Sequence, residues 1–214
     1  MMQNMDVFKS YLLHEAQYDP DDPFQIPKLR SSKLTPNKLL PFSQAVRTTD
    51  YRQWVHFYEP DEQIIRVLNN PKRYLPILQK FYGVISFDLS VQRNMPRFMK
   101  ANSIGMSRAL GNFWQQNGIE VIPNVRFNGA DTYDIAFSGI DKFSNIAIGT
   151  LGCLRNREDR QYFIEDLEEM MKRLQPKNLI VYGDMPDSIF GKYQEQTNLI
   201  HFPSWISVVH GRCK

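Results

Sequence analysis

Asp88 closes the apolar run Gly83-Val84-Ile85-Ser86-Phe87-Asp88, and its carboxylate is where chemistry is first sought in this chain. A carboxylate at the end of a buried strand is costly unless it is paired or used. It can act as a general base or a nucleophile. Arg126, at the end of the run Ile119–Arg126, offers a guanidinium as orienting or anion-binding partner. A plain Asp88–Arg126 ion pair is the competing structural reading. Tyr182 ends another apolar run and completes the catalytic expectation. His56, Glu59, Ser90, Asn124 and Asp184 follow or end apolar runs in the same way, as does His201, so one polar edge is expected. Polar residues in such places also cap helices and satisfy free backbone groups.

A second candidate lies at Gly149-Thr150-Leu151-Gly152 and the Arg155-Asn156 that follows. Two glycines let backbone amides approach a ligand, and Asn156 can cap the next helix, whose amino end is electropositive. With Arg155 and Arg157 this is the physics of a phosphate site, expected at Gly149, Thr150, Gly152, Arg155 and Asn156. The stretch lacks the lysine of a P-loop and the spacing of a dinucleotide fingerprint. Cys153 beside it is read as a buried small hydrophobe rather than a nucleophile. Four scattered histidines and two distant cysteines, Cys153 and Cys213, give no metal-ligand spacing. No motif identifies a cofactor.

The elements that must hold these groups alternate. Trp54–Tyr58 is aromatic and β-branched and reads as a strand. Helical stripes follow at Ile64–Leu68 and Tyr74–Phe81, with Pro76 inside the second. A strand at 83–88, a helix from Pro96 to Asn117 and a strand at 119–126 make one strand–helix–strand unit. The helix stripe is Met99, Met106, Leu110, Phe113 and Trp114. Tyr133–Phe137 reads as a short strand and Asn145–Gly149 as a clearer one. The helix after Asn156 carries Phe163, Leu167, Met170 and Leu174 at near-ideal spacing. Strands at 178–183 and 198–202 complete an α/β chain: a mostly parallel sheet of about five to seven strands with flanking helices, as an open sheet or a partial barrel. In such folds ligands bind where strands end and helices begin.

Residues 1–50 read as an irregular arm packed on the core, 51–203 as the core domain and 204–214 as a tail. The arm is rich in turn chemistry at Tyr18–Pro23, with helix expected near Met5–Glu15 and Pro36–Val46. Lys28, Arg30, Lys33 and Lys38 make it basic, which suits a solvated arm or contact with phosphates. The net charge of +3 permits nucleic-acid contact without demanding it. No apolar run reaches the roughly 20 residues of a membrane span. Met1–Phe8 has no apolar signal core, and two cysteines form no disulfide framework, so a cytoplasmic setting is expected.

Several stretches together resemble a known family. They include Trp54-Val55-His56-Phe57-Tyr58, Asp88-Leu89-Ser90, Phe113–Ile119, Val121-Ile122-Pro123-Asn124, Gly149–Cys153, Ile180–Gly183 and Ile189–Tyr193. From Leu34 to Phe202 the chain is similar to the bacterial and phage family catalogued as domain of unknown function 4417. The resemblance implies a cytosolic, mobile-element context. It implies no activity and carries over no catalytic residue. Members often place proline before the aspartate and tryptophan after the arginine, where this chain has Phe87 and Phe127. A fainter likeness, of fold only, links 146–157 to barrel enzymes that exchange bases in nucleic acid. Two functions follow as expectations. One is an enzyme acting on a phosphate-bearing ligand, a nucleotide or nucleic acid. The other is a non-catalytic module that engages a host defence or replication protein.

Overall fold

The computed structural model describes Asp6 and residues 8–211. The helix expected at Met5–Glu15 lies partly outside them; inside, Ser10–Leu13 form a single 3-10 turn. Cys213 also lies outside.

Seven short strands run in one direction: β1 (Leu39–Pro41), β2 (Trp54–His56), β3 (Gly83–Ile85), β4 (Val121–Ile122), β5 (Asn145–Gly149), β6 (Asn178–Tyr182) and β7 (Asn198–Phe202). They pair as a four-stranded sheet, β1-β2-β3-β4, and a three-stranded sheet, β5-β6-β7, and every pair is parallel. Spatial order equals chain order throughout. The sheets touch at a parallel bridge between Asn124 and Ala147. There the Val125 amide donates to the Ala147 carbonyl and the Ala147 amide to that of Pro123, each at 2.9 Å.

Parallel strands need crossovers, and the sequence supplies them as helices. α1 is Phe42–Ala45, α2 Asp61–Asn69, α3 Pro71–Leu78, α4 Arg97–Gln116, α5 Tyr133–Ala136, α6 Arg157–Leu174, α7 Asp187–Phe190 and α8 Trp205–Val209. α6 is started by the Asn156 side chain, which accepts from the Asp159 amide at 2.8 Å. Acids in its first turn and Lys172 and Arg173 in its last complement the helix dipole. In α4, Leu110, Phe113 and Trp114 are buried as expected, whereas Met99 is 42% exposed.

β2 through β6 are covered on both faces, which sets their composition, whereas β7 is only partly buried. In β2 and its continuation, Val55 and Phe57 pack outward beneath the helices. Trp54 and Tyr58 point the other way, into a cluster with Ile85, Ile122, Ala147, Ile180 and Tyr182. That cluster draws on β2 through β6, so the sheet is curled around it. Tyr58 and Tyr182, from strands four places apart, stack at 5.0 Å. The result is an open partial barrel: among the described residues no pairing joins β1 to β7.

Two expectations fail. Residues 36–46 are not one helix: Leu39–Pro41 is a strand and only Phe42–Ala45 is helical. Pairing with β2 satisfies this backbone, and tertiary context overrides a weak local preference. Tyr133–Phe137 is not a strand but α5, preceded by a 3-10 turn at Ala130–Thr132. Ile135 and Ala136 are consecutive and both buried. A helical turn accommodates that against α4, whereas a strand alternates its faces. The strands expected at 83–88 and 119–126 pair regularly only over Gly83–Ile85 and Val121–Ile122.

The basic segment before β1 is a strap. The Ser32 amide donates to the Val121 carbonyl at 2.8 Å. Asn145 Nδ2 donates to the carbonyls of Ser32 and Leu34 at 2.9 and 3.2 Å. These bonds lay the strap across the amino ends of β4 and β5.

Candidate functional site at the strand carboxyl ends

The carboxyl ends of β3 and β4 continue as extended chain and carry the central polar group. Asp88 is 8% exposed. Its Oδ1 accepts from Asn124 Nδ2 at 2.7 Å. Asn124 is itself fixed twice: its amide donates to Ser86 Oγ at 2.8 Å, and its Oδ1 accepts from the Tyr58 hydroxyl at 3.0 Å. Arg126 Nη1 stands 3.7 Å from Asp88 Oδ2, an ion pair longer than a hydrogen bond. Burial pushes the Asp88 carboxyl above its usual range, and Arg126 and the Asn124 bond pull it part of the way back. Asp88 in turn holds the Arg126 guanidinium above its usual value. Arg126 Nε is buried without a partner.

In front of Arg126 opens a cleft of about 400 Å³, whose walls include Arg93, Arg126, Gly149, Gly152, Cys153 and Arg155. Asp159, Tyr162 and Asp166 of α6 close its far side. Arg93 lies over the Tyr162 ring at 3.2 Å. Asp166 is buried and accepts from the Tyr133 hydroxyl at 2.7 Å and the Gly129 amide at 3.0 Å. Tyr162 and Asp166 were not among the residues expected here. A signal for Asp166 existed: it interrupts the apolar stripe of Phe163, Leu167 and Met170 with a carboxylate.

The expected site residues therefore separate. Arg126, Ser90, Gly149, Gly152 and Arg155 line this cleft. Asp88 stands behind Arg126, not on the wall. Thr150 is buried, its amide bound to the Tyr182 carbonyl at 2.9 Å, and does not line the cleft. Asn156 is spent on the α6 cap. Gly149 faces inward as well: a Cβ there would lie 2.7 Å from the Tyr58 ring. Tyr182 sits in the barrel interior, its hydroxyl accepting from the Trp205 amide at 2.9 Å, with burial pushing its pKa up to about 12. His56 is buried beside it, its Nδ1 accepting from the Tyr58 amide at 3.2 Å and its Nε2 unpartnered. Burial lowers the His56 pKa to about 3, so the ring is neutral. Glu59 caps α1 through the Ser43 amide at 3.0 Å. The Ser90 amide and hydroxyl donate to Asp61 at 3.2 and 3.1 Å. Asp184 is exposed after β6. Burial also raises the Cys153 pKa against the pull of Arg126, which keeps the thiol protonated. Among the described residues no group of three or more histidine, cysteine, aspartate or glutamate side chains could hold a metal ion. No helix among them is long and apolar enough to cross a membrane.

Fold and site define an all-parallel α/β protein with an arginine-walled cleft at its strand carboxyl ends. The chain belongs to the family described as Domain of unknown function (DUF4417), which matches residues 18–203. It is 32% identical over 164 residues to the Gene 1 protein of Mycobacterium phage D29, across 75% of this chain and 60% of that protein. It is 30% identical over 172 residues to the Gene 1 protein of Mycobacterium phage L5, across 78% of this chain and 75% of that one. Both relatives are phage proteins, which fits a family of phage type. No solved structure matches the chain.

Proposed function

We propose that the protein binds a phosphate-bearing ligand, a nucleotide or a nucleic-acid phosphate, in the cleft beside Arg126. The observation that carries this reading is the state of Arg126. Its side chain lines the cleft and is 26% exposed, and its carboxylate partner stands 3.7 Å from Nη1, beyond hydrogen-bond reach. A guanidinium so placed has donors to offer an oxyanion, and arginine presents them in a fork that suits phosphate. Arg93 and Arg155 add charge at the rim. Asp88 and Asn124 act by orienting Arg126, with Asp88 buried as its counter-charge rather than exposed as a base. The setting proposed is the cytoplasm of a phage host. The test is calorimetric titration with a panel of nucleotides and pyrophosphate. Binding that drops at least ten-fold in Arg126→Ala supports the reading. No heat with any member of the panel, or equal affinity in Arg126→Ala, refutes it.

A second reading, engagement of a host protein, has one specific observation behind it. Ile206, Val208 and Val209 of α8 are 64%, 51% and 59% exposed. Adjacent exposed apolar side chains favour a protein partner. A host protein that co-purifies with the full chain, and is lost when Ile206 and Val209 become serine, would support it. Retention of that protein by the double variant would end it.

A further inference from the structure

The face opposite the cleft is also charged, and the parallel topology explains how. All seven strands point one way, so every residue just before a strand lies on one edge of the molecule. Lys38, Arg52, Lys80, Lys142 and Lys177 stand within three residues of the starts of β1, β2, β3, β5 and β6 respectively. The strap that crosses this edge brings Lys28, Arg30 and Lys33. Arg30 is fixed there, its amide donating to Gln115 Oε1 at 3.3 Å at the end of α4. A groove of about 1010 Å³ opens beneath the strap, with Lys28, Arg30 and Lys33 on its rim.

The carboxylates on this edge include Glu15, Asp19, Asp50, Glu120, Asp141 and Glu195, and Glu168 lines a pocket with Phe143. Asp50 is shared by Lys38 and Arg52 at 3.3 and 3.8 Å, and Lys28 meets Asp19 at 3.9 Å. Arg30, Lys33, Lys80, Lys142 and Lys177 are exposed and make no ion pair among the described residues. Two exposed rings stand among them: Tyr82, 49% exposed, precedes β3, and Phe143, 66% exposed, precedes β5. Unpaired cations interleaved with exposed aromatic rings are what a single-stranded nucleic acid needs, phosphates on the first and unstacked bases on the second.

We propose that the edge formed by the strand amino ends binds single-stranded nucleic acid, with the strap cations on phosphates and Tyr82 and Phe143 as stacking platforms. This surface is separate from the arginine-walled cleft and stands or falls independently of it.

The experiment is fluorescence anisotropy of the full chain with labelled mixed-sequence DNA and RNA strands of about 20 nucleotides, between about 50 and 200 mM salt. Binding should weaken steeply with salt. Each lost phosphate contact removes about 0.7 from the logarithmic salt slope, so Arg30→Ala with Lys33→Ala should flatten it by about 1.4. Tyr82→Ala should weaken binding by about ten-fold with the slope unchanged. All three side chains are exposed or on the strap, and unchanged circular dichroism will show that the variants fold. Arg160→Ala, at the opposite end of the sheet, should bind as the parent does. The proposal is overturned by no binding at the lowest salt, by an unaltered slope in the double variant, or by duplex binding as tight as single strand.

Discussion

The ring of Tyr58, beyond the end of β2, lies flat against the ring of Tyr182 in β6, with 5.0 Å between centroids and 12° between planes. His56 meets the same Tyr182 ring at 4.1 Å. These contacts span the interior of the curled sheet and hold its two halves together beside the single bridge at Asn124 and Ala147. The Tyr58 hydroxyl then passes the connection on to Asn124, Asp88 and Arg126. The barrel interior and the cleft are thus one continuous structure.

Tyr58 has two separable roles, and two variants separate them. Tyr58→Phe keeps the stack and removes only the hydrogen bond to Asn124, for a loss of about 1 kcal/mol. Tyr58→Ala also empties a space in the interior and should cost about 3–5 kcal/mol. Urea unfolding of both proteins measures the difference. Equal losses in the two would show that the stack contributes nothing.

Arg126→Ala leaves Asp88 buried without its counter-charge. The Asp88 pKa is already raised by burial, and loss of Arg126 raises it further. A carboxyl whose folded pKa lies above its unfolded value contributes stability that is complete below the unfolded pKa, near 3.9, and is lost as pH rises through the folded pKa. The variant should therefore be less stable than the parent by about 1–3 kcal/mol at pH 7, and the gap should narrow as the solution is acidified. A gap that widens on acidification would contradict the arrangement.

His56 titrates with the opposite sign. Its folded pKa of about 3 lies far below the ordinary value of 6.5, because the charged ring is excluded by burial. Stability is full above the unfolded pKa and declines as pH falls below it, at up to about 1.4 kcal/mol per pH unit. Replacing His56 with glutamine should flatten this part of the acid limb, whatever it does to stability at pH 7. Denaturant curves at pH 7 and pH 5 for the two proteins give the comparison. Parallel limbs would mean that His56 is protonated in the folded state.

Gly149→Ala tests why glycine stands at the end of β5. The added methyl carbon would sit 2.7 Å from Tyr58 Cδ1, closer than packed atoms tolerate. Overpacking of this kind costs about 1–3 kcal/mol. Its melting temperature should fall even without any ligand. An unchanged melting temperature would return Gly149 to a role in the cleft alone.

The chain announced much of this locally. Apolar runs closed by polar residues marked six of the strands, β2 through β7, the spacing of Phe163, Leu167, Met170 and Leu174 marked α6, and Asn156 marked its start. Alternation of strand and helix required a parallel sheet, because parallel strands need crossovers. The nearness of Asp88 to Arg126 followed, since β3 and β4 are neighbours in sequence and in space. Periodicity states which face of an element is buried, but not what it is buried against. Only the tertiary structure could curl the sheet until β2 met β6, turn Gly149 toward a tyrosine ring, and place Asp88 behind Arg126. The same distant partners decided residues 36–46 and 133–137, where backbone bonds to β2 and burial against α4 outweighed local preference. Those contacts join residues far apart in the chain, and no short stretch of sequence contains them.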